Sequence, residues 1–279
     1  MNRLGVIAGG GPLPGMLAEH CQAAGREVFV AGVKGAALPD IGRFPHAWVE
    51  LGRIGALLRA LRQQDCREIV FIGPVRRPSI RHLKLDLAGW CFLPRYLLAA
   101  KGGDDRLLRT LIAWFEDKGI RVRGAHEFLV ELCVPPGVLG AIQPRPEDLA
   151  DIRLGMQAAR RHGARDKGQA VVIRAGEVLE REAEDGTDAM LRRCVAQRNP
   201  VHQPGRAGVL VKALKPGQET RIDLPTLGVT SIRLAAEAGL AGIAFEAGAT
   251  LLVEAPAMVR EADALGLFLT GLPGTGQEA

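Results

Sequence analysis

The segment Leu4-Gly-Val-Ile-Ala-Gly-Gly-Gly-Pro-Leu-Pro14 joins a short apolar run to a group of glycines and prolines. A helical pattern follows at residues 15–24, and a second apolar run occupies residues 27–31. This strand, loop, helix and strand form a βαβ unit, whose glycine loop places backbone N–H groups at a helix N-terminus, where anions bind. We therefore predict that Gly9, Gly10 and Gly11 contact an anionic ligand. A tight strand-to-helix turn is the alternative for each of them.

The same loop matches a dinucleotide-binding fingerprint only in part. Pro14 stands where the third glycine belongs, and Lys34 follows the second strand where an NAD site carries an acidic residue. A nucleotide-dependent oxidoreductase is therefore an alternative function that rests on this βαβ unit alone.

Further strands and helices alternate along the first half of the chain, which is typical of a parallel sheet covered on both faces. A predicted strand at residues 68–72 is followed by Gly73-Pro-Val-Arg-Arg-Pro78. Open α/β sheets bind ligands at the carboxyl ends of their strands. Gly73, Arg76 and Arg77 are therefore candidate substrate contacts, and a turn with two solvated arginines is the alternative.

Residues 134–146 contain four prolines and are predicted to form a linker. It divides the chain into an N-terminal Rossmann-like domain at 1–133 and a C-terminal domain at 147–279. The second half mixes helices, a hairpin and single strands. The predicted fold class is thus α/β, with a Rossmann-like parallel-sheet domain followed by a mixed α/β (α+β) domain.

The composition of the 279 residues limits the class of protein. The hydrophobic fraction is 47%, which indicates a globular chain, and only 4% of residues are aromatic. A net charge of +5 suits an anionic ligand or an acidic membrane surface. Without a block of basic residues or a set of stacking aromatics, we expect no nucleic-acid binding. Five scattered cysteines, no signal peptide and no long apolar run favour a reduced cytoplasmic protein without a membrane span.

Residues 180–226 combine acidic groups, lysines and glycines with short apolar runs, as expected of a site for a phosphate and its metal ion. A diphosphate hydrolase needs carboxylates for a divalent cation, positive charge for the phosphates and a group that orients water. Asp188 and Asp223 are the candidate Mg²⁺ ligands, with Lys212 as the cation. Thr187 and Gln218 are candidate hydrogen-bond donors. Second-choice metal ligands are Asp166, Glu182 and Asp185.

Each of these residues also has a structural interpretation. Thr187 and Asp188 follow a glycine at the start of a helix, where both types commonly cap the helix. Lys212 ends an apolar strand and is also explained as a surface lysine. Asp223 precedes Leu-Pro and is also explained as a turn residue. The case for a site rests on their clustering.

A set of short motifs in this order resembles one family, the metal-dependent UDP-2,3-diacylglucosamine pyrophosphatase of lipid A biosynthesis, the two-domain type unrelated to metallophosphoesterases. The motifs are Leu4 to Gly11, Gly73 to Pro78, Gly103-Asp-Asp105, Asp166-Lys-Gly-Gln169, Gly186-Thr-Asp188, Leu210-Val-Lys212 and Asp223-Leu-Pro-Thr226. The chain departs from the family pattern at Pro74, where a lysine-like residue is expected, and conservatively at Asp185 and Glu219.

The resemblance implies hydrolysis of UDP-2,3-diacylglucosamine to UMP and 2,3-diacylglucosamine 1-phosphate (lipid X) with Mg²⁺, at a site between two domains of a homodimer. It implies Asp223 as the main catalytic residue, and its motifs add Gln169 and Thr226 as substrate contacts. We expect peripheral contact with the cytoplasmic face of the inner membrane and an apolar groove for acyl chains in the second domain. A sugar-nucleotide sensing module without catalysis is the non-enzymatic alternative.

Overall fold

A computed structural model describes residues 3–75, 83–198 and 205–274 of the chain. The chain divides into two compact units. The first contains Met1–Leu129 together with the short segment Glu219–Asp223, and the second contains Val130–Gln218 and Leu224–Ala279. A stretch of five residues from the second half of the sequence therefore folds as part of the first unit.

The first unit is built on a parallel sheet with the strand order β3-β2-β1-β4-β5. Its strands are β1 (Arg3–Ala8), β2 (Val28–Val33), β3 (His46–Val49), β4 (Cys66–Ile72) and β5 (Arg121–Arg123). Its helices are α1 (Leu13–Ala23), α2 (Ile54–Gln63), α3 (Leu87–Ala100) and α4 (Asp104–Glu116), with 3₁₀ turns at Pro39–Arg43 and Ala125–Glu127. This order confirms the predicted Rossmann-like sheet.

The central strands of this sheet are apolar on both faces because helices cover both. All six residues of β2 are buried, as are five of the six in β1. One core contains Phe29, Leu61, Ile69 and Phe115 among its buried members. Continuous apolar strands of this kind are expected in parallel sheets.

The second unit is built on a mixed sheet with the order β6-β13-β11-β9-β7-β8. Its strands are β6 (Gly137–Leu139), β7 (Ala170–Arg174), β8 (Glu177–Arg181), β9 (Val209–Lys212), β11 (Gly242–Glu246) and β13 (Phe268–Leu272), while β10 (Thr226–Leu227) pairs with β12 (Leu251–Leu252). Its helices are α5 (Pro146–Gly163), α6 (Thr187–Gln197), α7 (Val229–Glu237) and α8 (Ala255–Ala264), with a 3₁₀ turn at Val130–Leu132. Strands β9, β11 and β13 run parallel, whereas β6, β7 and β8 pair antiparallel. The predicted mixed α/β class is confirmed.

Side chains alternate between the two faces of this mixed sheet. Val172 and Leu210 face a core that includes residues of α6, α7 and α8. Val171 and Val211 face a second core that includes residues of α5. Helix α5 approaches β9 closely at Gly155, where an added Cβ would lie 2.4 Å from a methyl carbon of Val211. Successive strand residues therefore build two separate cores.

The proline-rich segment 134–146 contains β6, which pairs antiparallel with β13 and so forms an edge of the second sheet. The hinge and the domain bounds predicted around this segment stay predictions. In the described parts of the chain, no helix is long and apolar enough to cross a membrane.

Candidate functional site

The glycine loop after β1 packs directly against the loop after β4. The N–H of Gly9 donates to the carbonyl of Ile72 at 2.8 Å, and the N–H of Gly10 donates to the carbonyl of Pro74 at 2.8 Å. A Cβ on Gly9 would lie only 2.2 Å from the carbonyl oxygen of Gly73. These contacts support the tight-turn interpretation of Gly9 and Gly10, because both N–H groups are engaged within the protein.

Two further glycines of these loops have left-handed backbone conformations. Gly11 has φ of 77° and Gly73 has φ of 90°. Such conformations are strained for residues with a Cβ, so the loop shape itself accounts for glycine at both positions. Binding of substrate by these four glycines stays a prediction. Arg76 and Arg77, the other candidates from these loops, lie outside the described residues.

Asp223 ends the turn Glu219–Asp223 that belongs to the first unit. Its N–H donates to the carbonyl of Glu219 at 3.1 Å, and its side chain is half-buried. The N–H of Glu219 donates to Oδ1 of Asp105, in the first turn of α4, at 2.7 Å. The other carboxylate oxygen of Asp105 accepts from Nε of Arg109 at 2.7 Å. A carboxylate on α4 thus anchors the backbone of the turn that carries Asp223.

A second set of contacts holds the same turn. Nε and Nη2 of Arg221 donate to the two carboxylate oxygens of Glu219, both at 2.9 Å, and Nη1 donates to Glu116 at 3.0 Å. The hydrogen bonds from Arg221 lower the pKa of Glu219, although burial of the carboxyl group opposes the shift. Ile222 packs against the core of the first unit. The turn is therefore fixed by backbone, charge and apolar contacts together.

Asp223 lies at the edge of an apolar cavity of about 400 Å³ inside the first unit. The cavity opens at the carboxyl ends of the parallel strands, where open α/β sheets bind ligands. Its polar side chains are few, namely Glu50, Arg53, Tyr96 and Asp223. Its apolar lining includes Ile7, Val33, Val49, Phe71, Leu107, Leu108, Leu111 and Ile222. An apolar space with a few polar groups at its edge is the usual form of a small-molecule site.

Lys212 lies in a buried polar cluster of the second unit, only 5% exposed at the end of β9. Its Nζ donates to Oγ1 of Thr187 at 2.9 Å and to the carbonyl of Thr226 at 2.9 Å. The Thr187 hydroxyl donates to Oε1 of Glu182 at 2.5 Å. The other oxygen of Glu182 accepts from the N–H of Gln169 at 2.6 Å. The threonine hydroxyl thus joins a buried ammonium to a buried carboxylate, as burial of both charges requires.

This cluster brings together four residues that the sequence named as candidates for the site, and each of them contributes a hydrogen-bonding group to it. Thr187, Lys212, Gln169 and Thr226 take part in it through side-chain or backbone groups. The side-chain oxygen of Gln169 is buried and has no hydrogen-bond partner within the described protein. Glu182, a second-choice metal ligand in the sequence, here accepts hydrogen bonds from protein donors.

Asp188 and Gln218 make separate contacts in the second unit. Asp188 accepts a hydrogen bond from the Ser231 hydroxyl at 2.9 Å, which links α6 to α7. Helix α6 begins after Gly186 without a side-chain cap, so the capping interpretation of Asp188 and Thr187 was wrong. The Gln218 side chain accepts from the N–H of Lys215 at 2.9 Å and closes a turn. Their predicted roles in metal and substrate binding stay predictions.

The described residues contain no group of three or more histidine, cysteine, aspartate or glutamate side chains placed to hold a metal ion. Mg²⁺ needs no such group, because it often binds one or two carboxylates and completes its shell with substrate phosphates and water. The half-buried carboxylate of Asp223, at the edge of a cavity, suits that mode of binding.

Asp105 and Arg221 are the site residues that sequence reasoning missed. Asp105 belongs to the motif Gly103-Asp-Asp105, but the sequence predicted no contact between it and the segment around Asp223. Its contact is to a residue 114 positions away, Glu219, and such long-range pairing leaves no local pattern. The signal that was available is the pair of motifs itself, one around Asp105 and one beginning at Asp223.

Comparisons with known proteins identify both units. The family model for the LpxI N-terminal domain matches residues 3–132, and the model for the LpxI C-terminal domain matches residues 135–270. The chain is 47% identical over 276 residues to the UDP-2,3-diacylglucosamine pyrophosphatase LpxI of Caulobacter vibrioides (strain ATCC 19089 / CIP 103742 / CB 15), and the match covers 98% of both chains.

Proposed function

The chain belongs to the LpxI family, and we infer that it hydrolyses the diphosphate bond of UDP-2,3-diacylglucosamine. The products are UMP and 2,3-diacylglucosamine 1-phosphate (lipid X), and the reaction is a step of lipid A biosynthesis. We do not favour the oxidoreductase or the sensing module, because the chain is 47% identical to a pyrophosphatase over 98% of its own length.

The observation that carries the proposal is the half-buried Asp223 at the edge of the apolar cavity. The substrate joins acyl chains to a sugar diphosphate, so it needs an apolar space beside a polar reaction centre. We place an acyl chain in this cavity. The sequence expected the acyl groove in the second domain, whereas the lining of this cavity belongs to the first unit.

In the reaction, the oxygen of a water molecule forms a bond to one phosphorus of the diphosphate. The bond between that phosphorus and the bridging oxygen breaks, the bridging oxygen leaves with the other phosphoryl group, and the water gives up a proton. An ionised carboxylate only accepts hydrogen bonds. Asp223 can therefore orient the attacking water, or hold the Mg²⁺ that we propose as cofactor.

Mg²⁺, when bound, neutralises charge on the phosphate oxygens. Asp223 is the residue that would hold it, and Asp188 is the other candidate carboxylate. The rigid turn that carries Asp223 matters here, because a carboxylate fixed in advance loses little entropy when it binds a cation or water.

Lys212 and Thr187 are proposed to act by positioning. Both lie within the buried cluster with Glu182, where the Lys212 ammonium donates to Oγ1 of Thr187 and to the carbonyl of Thr226. The bond from Lys212 to the carbonyl of Thr226 fixes the chain three residues after Asp223. We also keep the proposal that Lys212 contacts a phosphate of the substrate directly, which goes beyond a positioning role.

We further propose that the protein works as a homodimer in the cytoplasm, in peripheral contact with the inner membrane. The support is the lipid substrate of the relative and the net charge of +5, which suits an anionic leaflet. Light scattering with the purified protein tests the dimer, and a monomer at micromolar concentration would contradict it.

The activity is tested by incubating the protein with UDP-2,3-diacylglucosamine and measuring UMP. We expect UMP with Mg²⁺ and none with excess EDTA. Asp223→Ala should lower kcat by at least about a thousandfold, in line with the loss of a central catalytic group. Asp117→Ala is the matched control, because that exposed carboxylate pairs with Arg95 on the surface.

Two outcomes would contradict the proposal. Binding of the substrate without release of UMP would favour the sensing module instead. Near-normal turnover by Asp223→Ala, with Asp117→Ala also normal, would remove Asp223 from the chemistry while leaving the activity in place.

A further inference from the structure

The outer face of α3 exposes a continuous apolar stripe. Leu87 is 82% exposed, Trp90 62% and Leu98 62%. With Cys91 and Pro94, which are also exposed, these residues follow the spacing of one helix face. The remaining face is apolar as well, because Phe92 and Ala99 are buried against the first unit. The helix is thus apolar on both sides, although only one side is covered by the residues that the structure describes.

An apolar helix face of this size calls for a covering surface. Helix α3 has 14 residues, which is too short to span a bilayer. It is long enough to lie in the plane of a membrane interface, with its apolar side chains among the acyl chains. Tryptophan and leucine on the buried side of such a helix are typical of interfacial binding.

The charges around this face select the kind of surface. Helix α3 contains no acidic residue and one basic residue, Arg95, which is exposed. Lys84 precedes the helix and Lys101 follows it, and both are exposed. Arg95 lies 3.7 Å from Asp117 across the surface, a pair that is weak in water. A positive rim around an apolar centre complements an anionic lipid surface.

The same helix also borders the substrate cavity. Tyr96 of α3 lines the cavity, as do Leu107, Leu108 and Leu111 of α4, which packs against α3. One helix therefore has an inner face at the cavity and an outer apolar face in solvent. A lipid substrate leaving a membrane at α3 would have a short apolar path to the edge of the cavity.

We propose that the outer face of α3, formed by Leu87, Trp90, Cys91, Pro94 and Leu98, docks the protein onto an anionic lipid bilayer. The proposal rests on the proposed function, since a lipid substrate is what makes docking useful. A second copy of the chain is the other surface that could cover an apolar helix. The basic rim favours lipid, because two copies meeting at this face would bring like charges together.

The test is flotation with vesicles of phosphatidylethanolamine and phosphatidylglycerol. The double variant Trp90→Glu/Leu98→Glu should lower vesicle binding by at least about tenfold, since it removes two large apolar groups and adds two charges that the bilayer repels. Val130→Glu is the matched control, because Val130 is 64% exposed in the second unit. It should bind like the unmodified protein. Arg95→Gln should weaken binding to anionic vesicles by about fivefold and leave neutral vesicles unaffected.

A fluorescence measurement reports the docking face directly. In a Trp48→Phe background, the two remaining tryptophans are Trp90 and the buried Trp114. Anionic vesicles should shift the emission to the blue, and brominated lipids should quench it. Emission that stays unchanged while the protein floats with vesicles would overturn the assignment of this face.

The hydrolysis assay separates this proposal from the proposed function. With substrate dispersed in detergent, the double variant should release UMP at the normal rate, and only hydrolysis of vesicle-embedded substrate should fall. Failure of every form to release UMP would overturn the activity, while flotation would still decide the docking face. If the double variant floats normally but changes a dimer to a monomer, the face is an interface between copies and the lipid proposal is wrong.

Discussion

The strongest single prediction concerns Asp105, a carboxylate that we expect to control catalysis without contacting substrate. Asp105→Ala removes the acceptor of the Glu219 N–H, a hydrogen bond of 2.7 Å to a charged group. Hydrogen bonds to charged groups contribute about 1.5–3 kcal/mol. The neighbouring contact with Arg109 is exposed on the arginine side and adds little. Asp105→Ala should therefore destabilise almost exclusively the attachment of the turn that carries Asp223.

A loss of that free energy shifts the equilibrium by about 10- to 100-fold from the turn attached to α4 toward the turn detached from it. The contacts of Arg221 and Ile222 remain, so the turn should loosen without leaving the first unit. A displacement of about 1 Å at a reacting group costs about a hundredfold in rate. We therefore expect kcat to fall by about 10- to 100-fold, with a smaller change in KM.

The assay is UMP release as a function of substrate and of Mg²⁺, with thermal unfolding followed in parallel. Asp105→Asn keeps an oxygen acceptor without the charge, so its rate should lie between those of the unmodified protein and Asp105→Ala. Asp117→Ala is the control, because that carboxylate follows α4 and is exposed near Arg95. It should have a normal kcat.

Two results would refute this reasoning. A normal kcat and Tm for Asp105→Ala would show that the hydrogen bond does not hold the turn. A raised Mg²⁺ requirement, with kcat restored at high Mg²⁺, would instead make Asp105 a metal ligand. Positioning predicts a lower kcat at an unchanged Mg²⁺ requirement.

Three further predictions test other parts of the molecule. Thr187→Val removes the hydroxyl that bonds to both Lys212 and Glu182, so it should lower the free energy of unfolding by about 1–3 kcal/mol in chemical denaturation. Thr187→Ser keeps the hydroxyl and should cost much less. Equal losses in the two variants would contradict the role of this hydroxyl in the buried cluster. Because the pKa of Glu219 is lowered in the folded protein, its carboxyl group binds a proton less tightly there than in the unfolded chain. The ionised carboxylate therefore stabilises the fold above its unfolded pKa, and this stabilisation is lost as pH falls through its folded pKa. The deficit of Glu219→Gln relative to the unmodified protein should therefore be largest near pH 7 and shrink toward pH 3, and a constant deficit would contradict this sign. Leu108→Trp should narrow the cavity, and KM should rise by about fourfold for each methylene group of the acyl chain that no longer fits. A substrate with short acyl chains should keep its normal KM. An equal rise in KM for the long-chain and the short-chain substrate would place the acyl chain elsewhere.

The parallel sheet of the first unit could be predicted from sequence because its signals are local. Apolar strands, glycine turns and helical periodicity each lie within a window of a few residues. Strand β3 was missed because it is a short edge strand whose residues are exposed or half-buried, so its apolar pattern is weak. Strand β6 was missed because prolines surround it and its partner, β13, comes 130 residues later.

The candidate site was predictable only by residue type. Thr187 and Lys212 were identified as polar residues beside apolar strands, and they do meet in one cluster. Their bonding partners depend on which strands become neighbours, which a single sequence does not encode locally. The same limit applies to Asp223, since its neighbours in sequence belong to the second unit while its own turn belongs to the first.

Helix α4 and its neighbour α3 give these observations a common physical basis. Helix α4 anchors the Asp223 turn through Asp105 and Glu116, and its apolar side chains line the cavity. Helix α3 packs against it and carries the exposed apolar face. A change at the outer face of α3 should therefore alter only the reaction on membranes, because it leaves α4 in place. A change that moves α4 should alter the reaction on dispersed and embedded substrate alike, because α4 supports both the cavity wall and the turn that carries Asp223.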